Sequence, residues 1–187
     1  MKPAGVHELR ADYPAGGEIV LRAGDIALRV AALGHQICRD YAGRTPVLVS
    51  IMKGGLVFLA DLIRTVHISH QVDIMVVSTY EPGLRSSGVV RILTDLSMAI
   101  EGRHVIIVED IVDTGLTLNY IRGLLLARKP ASLAICALLE KERHRTASPP
   151  LYYVGFRIPD RFVVGYGLDA DEFYRHLPDL VSIPERT

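Results

Sequence analysis

Residues 105–117 read VIIVEDIVDTGLT, and this stretch decides the fold. It begins with four β-branched residues, a pattern typical of a strand that is buried on both faces. Two adjacent carboxylates, Glu109 and Asp110, follow the strand, and a third, Asp113, comes three residues later. Apolar periodicity then predicts a helix over 116–127. A buried strand that leads through polar residues into a helix indicates a parallel α/β arrangement.

The second half of this stretch has the composition of an anion-binding loop. Small and hydroxylated residues at a helix N-terminus let backbone N–H groups converge on an anion, which the helix dipole also favours. Thr114 and Thr117 add hydroxyl donors, and the carboxylates of Glu109 and Asp110 suit the vicinal hydroxyls of a sugar. The stretch therefore predicts a ribose phosphate site. The alternative is that Asp113 or Thr114 only caps the helix, which leaves two carboxylates directly after an apolar strand unexplained.

On either side of this stretch, apolar patterns predict alternating strands and helices. Strands are predicted over 46–51, 72–77, 105–108 and 133–139, and helices over 25–41, from Gly54-Gly55 to Val66, and over 116–127. Shorter strands are predicted at 89–93, 152–154 and 162–165, and a loop over 81–88. This alternation predicts an α/β fold with a mainly parallel sheet and helices on both faces. Ligands bind beyond the carboxyl ends of such strands, where the polar segments 52–55 and 109–117 are expected.

Length and composition favour one domain in a reducing compartment. The chain fits a single domain over 1–187, in which residues 1–17 are a loose lead-in. Basic and acidic residues balance at 21 each, so no general charge favours nucleic acid or a membrane surface. No apolar run suits a signal peptide or a bilayer span, so we expect a cytoplasmic protein. Cys38 and Cys136 are then expected to be buried thiols rather than a disulfide or a metal pair.

Residues 105–117 resemble the signature of the type I phosphoribosyltransferases, which bind phosphoribosyl pyrophosphate. Four further segments narrow the resemblance to the hypoxanthine-guanine branch of that family. They are MKGG at 52–55, GRH at 102–104, LLEK at 138–141 and VGFRIPDRFVVGYGLD at 154–169. The resemblance covers about residues 18–183. It implies a type I phosphoribosyltransferase fold, in which a central, mainly parallel sheet is flanked by helices and carries a small hood.

The resemblance also implies an activity. Members of this branch transfer the 5-phosphoribosyl group from phosphoribosyl pyrophosphate to hypoxanthine or guanine, which gives IMP or GMP and pyrophosphate in purine salvage. They use Mg²⁺ as a cofactor and form homodimers or homotetramers. We therefore expect phosphoribosyl pyrophosphate, hypoxanthine and guanine as ligands, and neither nucleic acid nor a membrane as a partner.

Within the signature, the resemblance assigns a role to each polar residue. Glu109 and Asp110 hold the ribose 2- and 3-hydroxyls, partly through Mg²⁺, and Asp113 is the general base near purine N7. A carboxylate in that place can accept the proton that the purine nitrogen loses as it attacks the anomeric carbon. The residues implied to wrap the 5-phosphate are Asp113, Thr114, Gly115, Leu116 and Thr117.

Outside the signature, the resemblance implies a pyrophosphate loop at Lys53 and Gly54, a cis peptide bond between Met52 and Lys53, and a further pyrophosphate contact at Arg175. The residues implied at the purine are Lys141, which contacts the oxygen at C6, Phe162, which stacks on the base, Val163, through its backbone, and Asp169. The implied metal ligands are Glu109, Asp110 and Asp169. Without the resemblance, Gly54-Gly55 is a plain turn, Lys141 a solvated charge and Phe162 a core residue.

A flexible lid is implied by the resemblance at Ser78, Thr79 and Tyr80, and it extends to Gly88. Its interior departs from the family pattern, because EPGLR at 81–85 replaces a Gly-rich, Thr-containing sequence. Thr94 also stands where a lysine is common. These departures concern the lid and Mg²⁺ affinity and leave the signature intact.

Two other classes of protein share some of these features. A regulator that keeps this fold but binds RNA or DNA is disfavoured by the neutral charge and by the presence of Lys53, Asp113 and Lys141. A phosphoacceptor signalling domain also clusters aspartates at strand ends. That class has no use for the DTGLT sequence at 113–117, so an enzyme is the favoured reading.

Overall fold

The computed structural model describes residues 13–78, 90–142 and 147–184. Its elements are β1 (Glu18–Leu21), α1 (Ala23–Asp40), β2 (Val47–Met52), α2 (Leu56–Thr65), β3 (Gln71–Ser78), β4 (Arg91–Thr94), β5 (His104–Val112), α3 (Leu116–Leu126), β6 (Ser132–Lys141), β7 (Tyr153–Ile158), β8 (Val163–Val164) and β9 (Leu180–Ser182). None of these helices is long and apolar enough to span a bilayer.

The central sheet has the strand order β4-β3-β2-β5-β6-β7 within the described residues. Every neighbouring pair is parallel except β3 and β4, which are antiparallel. The predicted mainly parallel α/β fold is therefore confirmed. Because the strands are parallel, the carboxyl ends of β2, β5 and β6 meet at one edge of the sheet.

Alternating side chains of the central strands pack into two separate apolar cores, one on each face of the sheet. Leu48 on β2 and Ile106 on β5 pack with the buried faces of α1 and α2. Val49 and Ile107, one position further along each strand, pack with α3 on the other face. Successive strand residues point to opposite faces, and burying each such side chain contributes about 1.5–3 kcal/mol. Helices therefore cover both faces, as predicted. Because the strands are packed on both sides, the sheet holds the residues at its edge in fixed positions.

A second, antiparallel sheet in the order β1-β9-β8 forms the hood. Asp179, just before β9, connects this hood to α1: its Oδ1 accepts the N–H of Ala23 at 2.7 Å, and its Oδ2 accepts the hydroxyl of Tyr13 at 2.8 Å. That carboxylate satisfies an N-terminal amide of α1, so the helix begins at Ala23 rather than at the predicted residue 25. The expected loose lead-in over 1–17 stays a prediction, because residues 1–12 lie outside the described ranges.

Two strands are longer than their sequence patterns indicate. The prediction that the signature strand ends at Val108 is wrong, because β5 pairs with β6 as far as the pair Val112 and Glu140. Glu109 and Asp110 therefore lie on a strand and not in a loop. The strand predicted over 152–154 is also longer in the structure, because β7 pairs with β6 as far as Ile158.

The two cysteines are free thiols, as expected. Cys136 is fully buried in the core, whereas Cys38 is only partly buried, so the expectation that both are buried holds for one of them. The sulfur of Cys38 accepts the backbone N–H of His67 at 3.2 Å.

Candidate active site

A cavity of about 330 Å³ lies at the carboxyl edge of the central sheet. One wall is the end of β2 and the turn after it, with Lys53 and Gly54. The second wall is residues 109–117 except Leu116, whose side chain is 43% exposed. Asp169 and Arg175 form the third wall. The structure thus brings together most of the residues expected at the ribose, the phosphates and the metal.

The turn between β5 and α3 depends on Gly115. Its φ of 77° lies in the left-handed region, and a Cβ there would lie 2.2 Å from the carbonyl oxygen of Ala147. Gly115 is also the N-cap residue of α3, so no N-cap side chain occupies the first amides of the helix. Asp113 and Thr114 line the cavity instead of holding the cap position. The alternative that they only cap the helix is therefore wrong.

Glu109 and Asp110 form a carboxylate pair in which Asp110 is nearly fully buried. The backbone N–H of Ile111 donates to Asp110 Oδ1 at 2.8 Å. Glu109 Oε2 is buried and has no hydrogen-bond partner among the described residues. Burial, and then the neighbouring Asp110 carboxylate, raises the pKa of Glu109 well above its usual value. The pair therefore holds a proton more tightly than an exposed pair would, and it presents an oxygen that needs a partner.

Gly54 is required for the close approach of the β2 turn to this pair. A Cβ at Gly54 would lie 1.7 Å from Asp110 Oδ2. The expected cis peptide bond between Met52 and Lys53 is present. The alternative that Gly54-Gly55 is a plain turn is therefore insufficient, because Gly54 also makes room for a carboxylate of the site.

Lys53 and Arg175 lie on segments far apart in the sequence, and Glu172 connects them. Lys53 Nζ donates to Glu172 Oε2 at 3.0 Å, and Arg175 Nη2 is 3.3 Å from the same oxygen. Arg175 Nη2 is also 2.8 Å from Asp169 Oδ1, and its Nη1 donates to the carbonyl of Gly167 at 2.8 Å. Lys53, and then Arg175, lowers the pKa of Glu172. Sequence reasoning missed Glu172, whose position between Asp169 and Arg175 was the signal available.

Lys141 lies at the end of β6 with its side chain only 10% exposed. Its Nζ is 3.1 Å from Asp113 Oδ2 and 3.5 Å from Asp160 Oδ1. The alternative that Lys141 is a solvated charge is therefore wrong. The structure places the ammonium beside the carboxylate expected to be the general base, and it adds Asp160, which the sequence did not single out.

Phe162 and Val163 lie where the hood approaches Lys141. Phe162 is 41% exposed, so it is not a core residue, whereas Val163 is buried. Phe162 lines a second cavity of about 370 Å³ together with Asp160 and other residues of the hood. Because Asp113 lines the first cavity and Asp160 the second, the Lys141 ammonium lies between the two.

The described residues include only the first residue of the expected lid. Ser78 is the last residue of β3, and Val77 before it lines the first cavity. Thr79, Tyr80 and the loop to Gly88 lie outside the described residues.

The sequence matches a known protein family and is similar to several of its members. The family model described as the phosphoribosyl transferase domain matches residues 17–171. The hypoxanthine phosphoribosyltransferase of Escherichia coli (strain K12) is 47% identical over 163 residues, which cover 86% of this chain and 92% of that protein. The hypoxanthine-guanine phosphoribosyltransferase of Mycobacterium tuberculosis is 45% identical over 174 residues, which cover 90% and 86%.

The fold is also similar to solved structures of proteins of the same kind as the sequence relatives. A crystal structure of a hypoxanthine phosphoribosyltransferase from Staphylococcus aureus has a TM-score of 0.87 and 42% identity, and the match covers 95% of each chain. A hypoxanthine-guanine phosphoribosyltransferase from Bacillus anthracis has a TM-score of 0.84 and 38% identity, with 89% of this chain and 98% of that chain covered. The chain belongs to the hypoxanthine-guanine branch of the phosphoribosyltransferase family.

Proposed function

We propose that this chain is a purine salvage enzyme that transfers the 5-phosphoribosyl group of phosphoribosyl pyrophosphate to hypoxanthine or guanine, giving IMP or GMP and pyrophosphate. One observation carries the proposal. A single cavity is lined by the loop before α3, by Arg175, whose buried Nε donor has no partner among the described residues, and by Glu109, whose buried Oε2 acceptor also has none there. A sugar carrying phosphates supplies anionic oxygens to the loop and to Arg175, and hydroxyl donors to Glu109.

The proposed roles separate the two phosphate ends of the substrate. The backbone and hydroxyls of residues 113–117 hold the 5-phosphate at the N-terminus of α3. Lys53, Gly54 and Arg175 hold the pyrophosphate. Because negative charge develops on the leaving pyrophosphate as its bond to the anomeric carbon breaks, fixed positive charge there lowers the barrier. The carboxylates of Glu109 and Asp110 accept hydrogen bonds from the ribose hydroxyls between these ends.

The purine is proposed to lie beside Lys141 and Asp113. The Lys141 ammonium has three donors, one of which Asp113 accepts at 3.1 Å, while Asp160 lies 3.5 Å away as an ion-pair partner. Another can donate to the oxygen at purine C6. Asp113, with its carboxylate at the edge of the ribose phosphate cavity, then accepts or shares the proton that the purine loses. Phe162 and the backbone of Val163 complete the purine site in this proposal.

The acidic residues of the cavity suit Mg²⁺. Glu109, Asp110 and Asp169 supply carboxylate oxygens to one cavity, and Glu109 Oε2 lacks a partner in the described part of the chain. No group of three His, Cys, Asp or Glu side chains in the described ranges is arranged to hold a metal. Mg²⁺ commonly keeps waters and bridges substrate phosphates, so substrate oxygens would complete its coordination. When bound, it would neutralise charge on the leaving pyrophosphate.

Three further expectations stay predictions. They are a single domain over 1–187, assembly into a homodimer or homotetramer, and a cytoplasmic location. Light scattering of the purified protein measures the second of these directly.

Initial rates test the proposed function. The purified protein is mixed with Mg²⁺, phosphoribosyl pyrophosphate and one of hypoxanthine, guanine, xanthine or adenine, and nucleotide and pyrophosphate are both measured. We expect equal amounts of nucleotide and pyrophosphate with hypoxanthine and guanine, and no product when phosphoribosyl pyrophosphate is omitted. Absence of nucleotide from all four bases would contradict the proposal.

A further inference from the structure

We propose that Glu172 is a built-in competitor for the pyrophosphate part of the substrate, and that its carboxylate leaves Lys53 and Arg175 when phosphoribosyl pyrophosphate binds. The inference rests on the proposed function, because that function makes Lys53 and Arg175 the pyrophosphate contacts. It adds a residue whose side chain weakens ground-state binding and is displaced by the ligand.

The contacts of Glu172 are those that a phosphate oxygen would make. Its Oε2 lies 3.0 Å from Lys53 Nζ and 3.3 Å from Arg175 Nη2, so one carboxylate oxygen bridges the two cations. Carboxylate and phosphate oxygens compete for the same donors, since both form charge-assisted hydrogen bonds with Lys and Arg. A pyrophosphate oxygen that bridges the two cations in the same way therefore takes the place of Glu172 Oε2.

The backbone of residues 167–175 holds this carboxylate beside Lys53 and Arg175. Asp171, Glu172 and Tyr174 have φ values of 53°, 69° and 73°, in the left-handed region that non-glycine residues seldom adopt. The backbone N–H of Glu172 donates to Asp169 Oδ2 at 2.8 Å, and the N–H of Gly167 donates to the carbonyl of Arg175 at 3.0 Å. Residues 167–175 therefore fold back on themselves, and the fold-back directs the Glu172 side chain to Lys53.

The exposure of the pair makes displacement feasible. The side chains of Lys53 and Glu172 are each 62% exposed. Exposed ion pairs are weak because water screens them, so a ligand with several negative charges can replace a single carboxylate. Arg175 keeps its second partner, Asp169, when Glu172 leaves. Glu172 is thus expected to lower the affinity for pyrophosphate several-fold without blocking the site.

Calorimetric titration with inorganic pyrophosphate in excess Mg²⁺ tests the inference. Glu172→Gln removes the charge and keeps the side-chain length, whereas Glu172→Asp keeps the charge and shortens the side chain by one methylene. We expect both variants to bind pyrophosphate about two- to fivefold more tightly than the parent, the range for losing an exposed ion pair. Glu101→Gln is the matched control, because Glu101 is exposed and precedes β5 at the end of the strand opposite the site. It should bind like the parent.

Three results would overturn the inference: unchanged affinity in Glu172→Gln, weaker affinity in Glu172→Gln, or tighter binding in Glu172→Gln with parent-like binding in Glu172→Asp. The last result would mean that net charge matters and the contact does not. Circular dichroism of each variant confirms that the fold is kept. A transferase assay on the parent separates the two proposals: an active parent with unchanged binding in the variants refutes only the role of Glu172. Tighter binding in both variants with an inactive parent refutes only the proposed reaction.

Discussion

Asp113 is the single residue on which the proposed proton transfer depends most. Asp113→Asn keeps the size of the side chain and removes its ability to accept a proton. We expect turnover to fall about 10²–10⁴-fold, the range for a lost acid–base group. Phosphoribosyl pyrophosphate should still bind within a few-fold of the parent, because the amides before α3 are unchanged. Steady-state rates and a direct binding titration measure the two effects, and parent-like turnover would remove Asp113 from the chemistry.

Lys141 should decide which bases react. Opposite adenine, the ammonium would face an amino group, so two donors would meet in a buried place, and such mismatches are rejected by about 10⁴-fold in favourable cases. Lys141→Ala should lower kcat/KM for hypoxanthine and guanine about 10- to 100-fold, because a hydrogen bond to a charged group is lost. Binding of phosphoribosyl pyrophosphate should stay near normal.

The control for Lys141 is Arg44→Ala, which also removes a cation. Arg44 is exposed and precedes β2, at the end of that strand opposite the site. Its kcat/KM for each base should match the parent. If Lys141→Ala uses hypoxanthine as well as Arg44→Ala does, Lys141 does not contact the base.

At the scale of elements, the approach of the β2 turn to β5 depends on Gly54. In Gly54→Ala the new methyl group would lie 1.7 Å from Asp110 Oδ2, so the turn or the carboxylate must move. A displacement of about 1 Å can lower a rate about 100-fold. We therefore expect kcat/KM for phosphoribosyl pyrophosphate to fall by about that factor. Kinetics at saturating base measure it.

Gly123→Ala is the control for Gly54→Ala, since it adds the same methyl group inside α3. Nothing lies within 4 Å of a Cβ at Gly123. Alanine is favoured over glycine within a helix by about 0.5–1 kcal/mol, so this variant should be slightly more stable than the parent and equally active. Equal activity in Gly54→Ala and Gly123→Ala would show that the close approach is not needed.

At the scale of the whole molecule, stability and function should conflict at Glu109. Burial raises the pKa of Glu109, so at a pH between the pKa values of the unfolded and folded states the folded protein holds a proton that the unfolded chain has lost. The contribution of protonated Glu109 to the stability of the fold is therefore complete at a pH below its usual pKa of 4.5. It is lost as the pH rises through the higher pKa of the folded state. Glu109→Gln stays neutral, so without metal it should have a higher Tm than the parent near neutral pH and the same Tm near pH 4. Thermal melts across this pH range test it, and a constant difference would contradict it.

The proposed metal dependence also belongs to the whole molecule, since its ligands come from two distant segments. Excess chelator should abolish transferase activity, and added Mg²⁺ should restore it. Binding of Mg²⁺ should be weak without substrate, because no three-ligand cluster exists within the described residues. Rates and a titration with Mg²⁺ alone measure these two effects. Full activity in chelator would refute the dependence.

Local sequence patterns predicted much of the fold and the centre of the site. The β-branched run before Glu109 and the helix that begins at Leu116 need only neighbouring residues to be recognised, since strand and helix preferences act over short distances. Gly54 and Gly115 were singled out in sequence because both belong to short motifs. The resemblance then supplied roles that the residues alone leave open, as at Lys141 and Phe162.

Contacts between distant segments decided the rest. The end of β5 depends on its pairing with β6, and β1 becomes a strand because it pairs with β9, more than 150 residues away. Glu172 meets Lys53 across 119 residues, from a segment whose backbone is left-handed at Asp171 and Glu172. The sequence by itself predicted that the segments 52–55 and 109–117 meet at the carboxyl edge of the sheet. The tertiary structure decided which charges face one another, because the strength of an ion pair depends on distance and burial, which no local pattern contains.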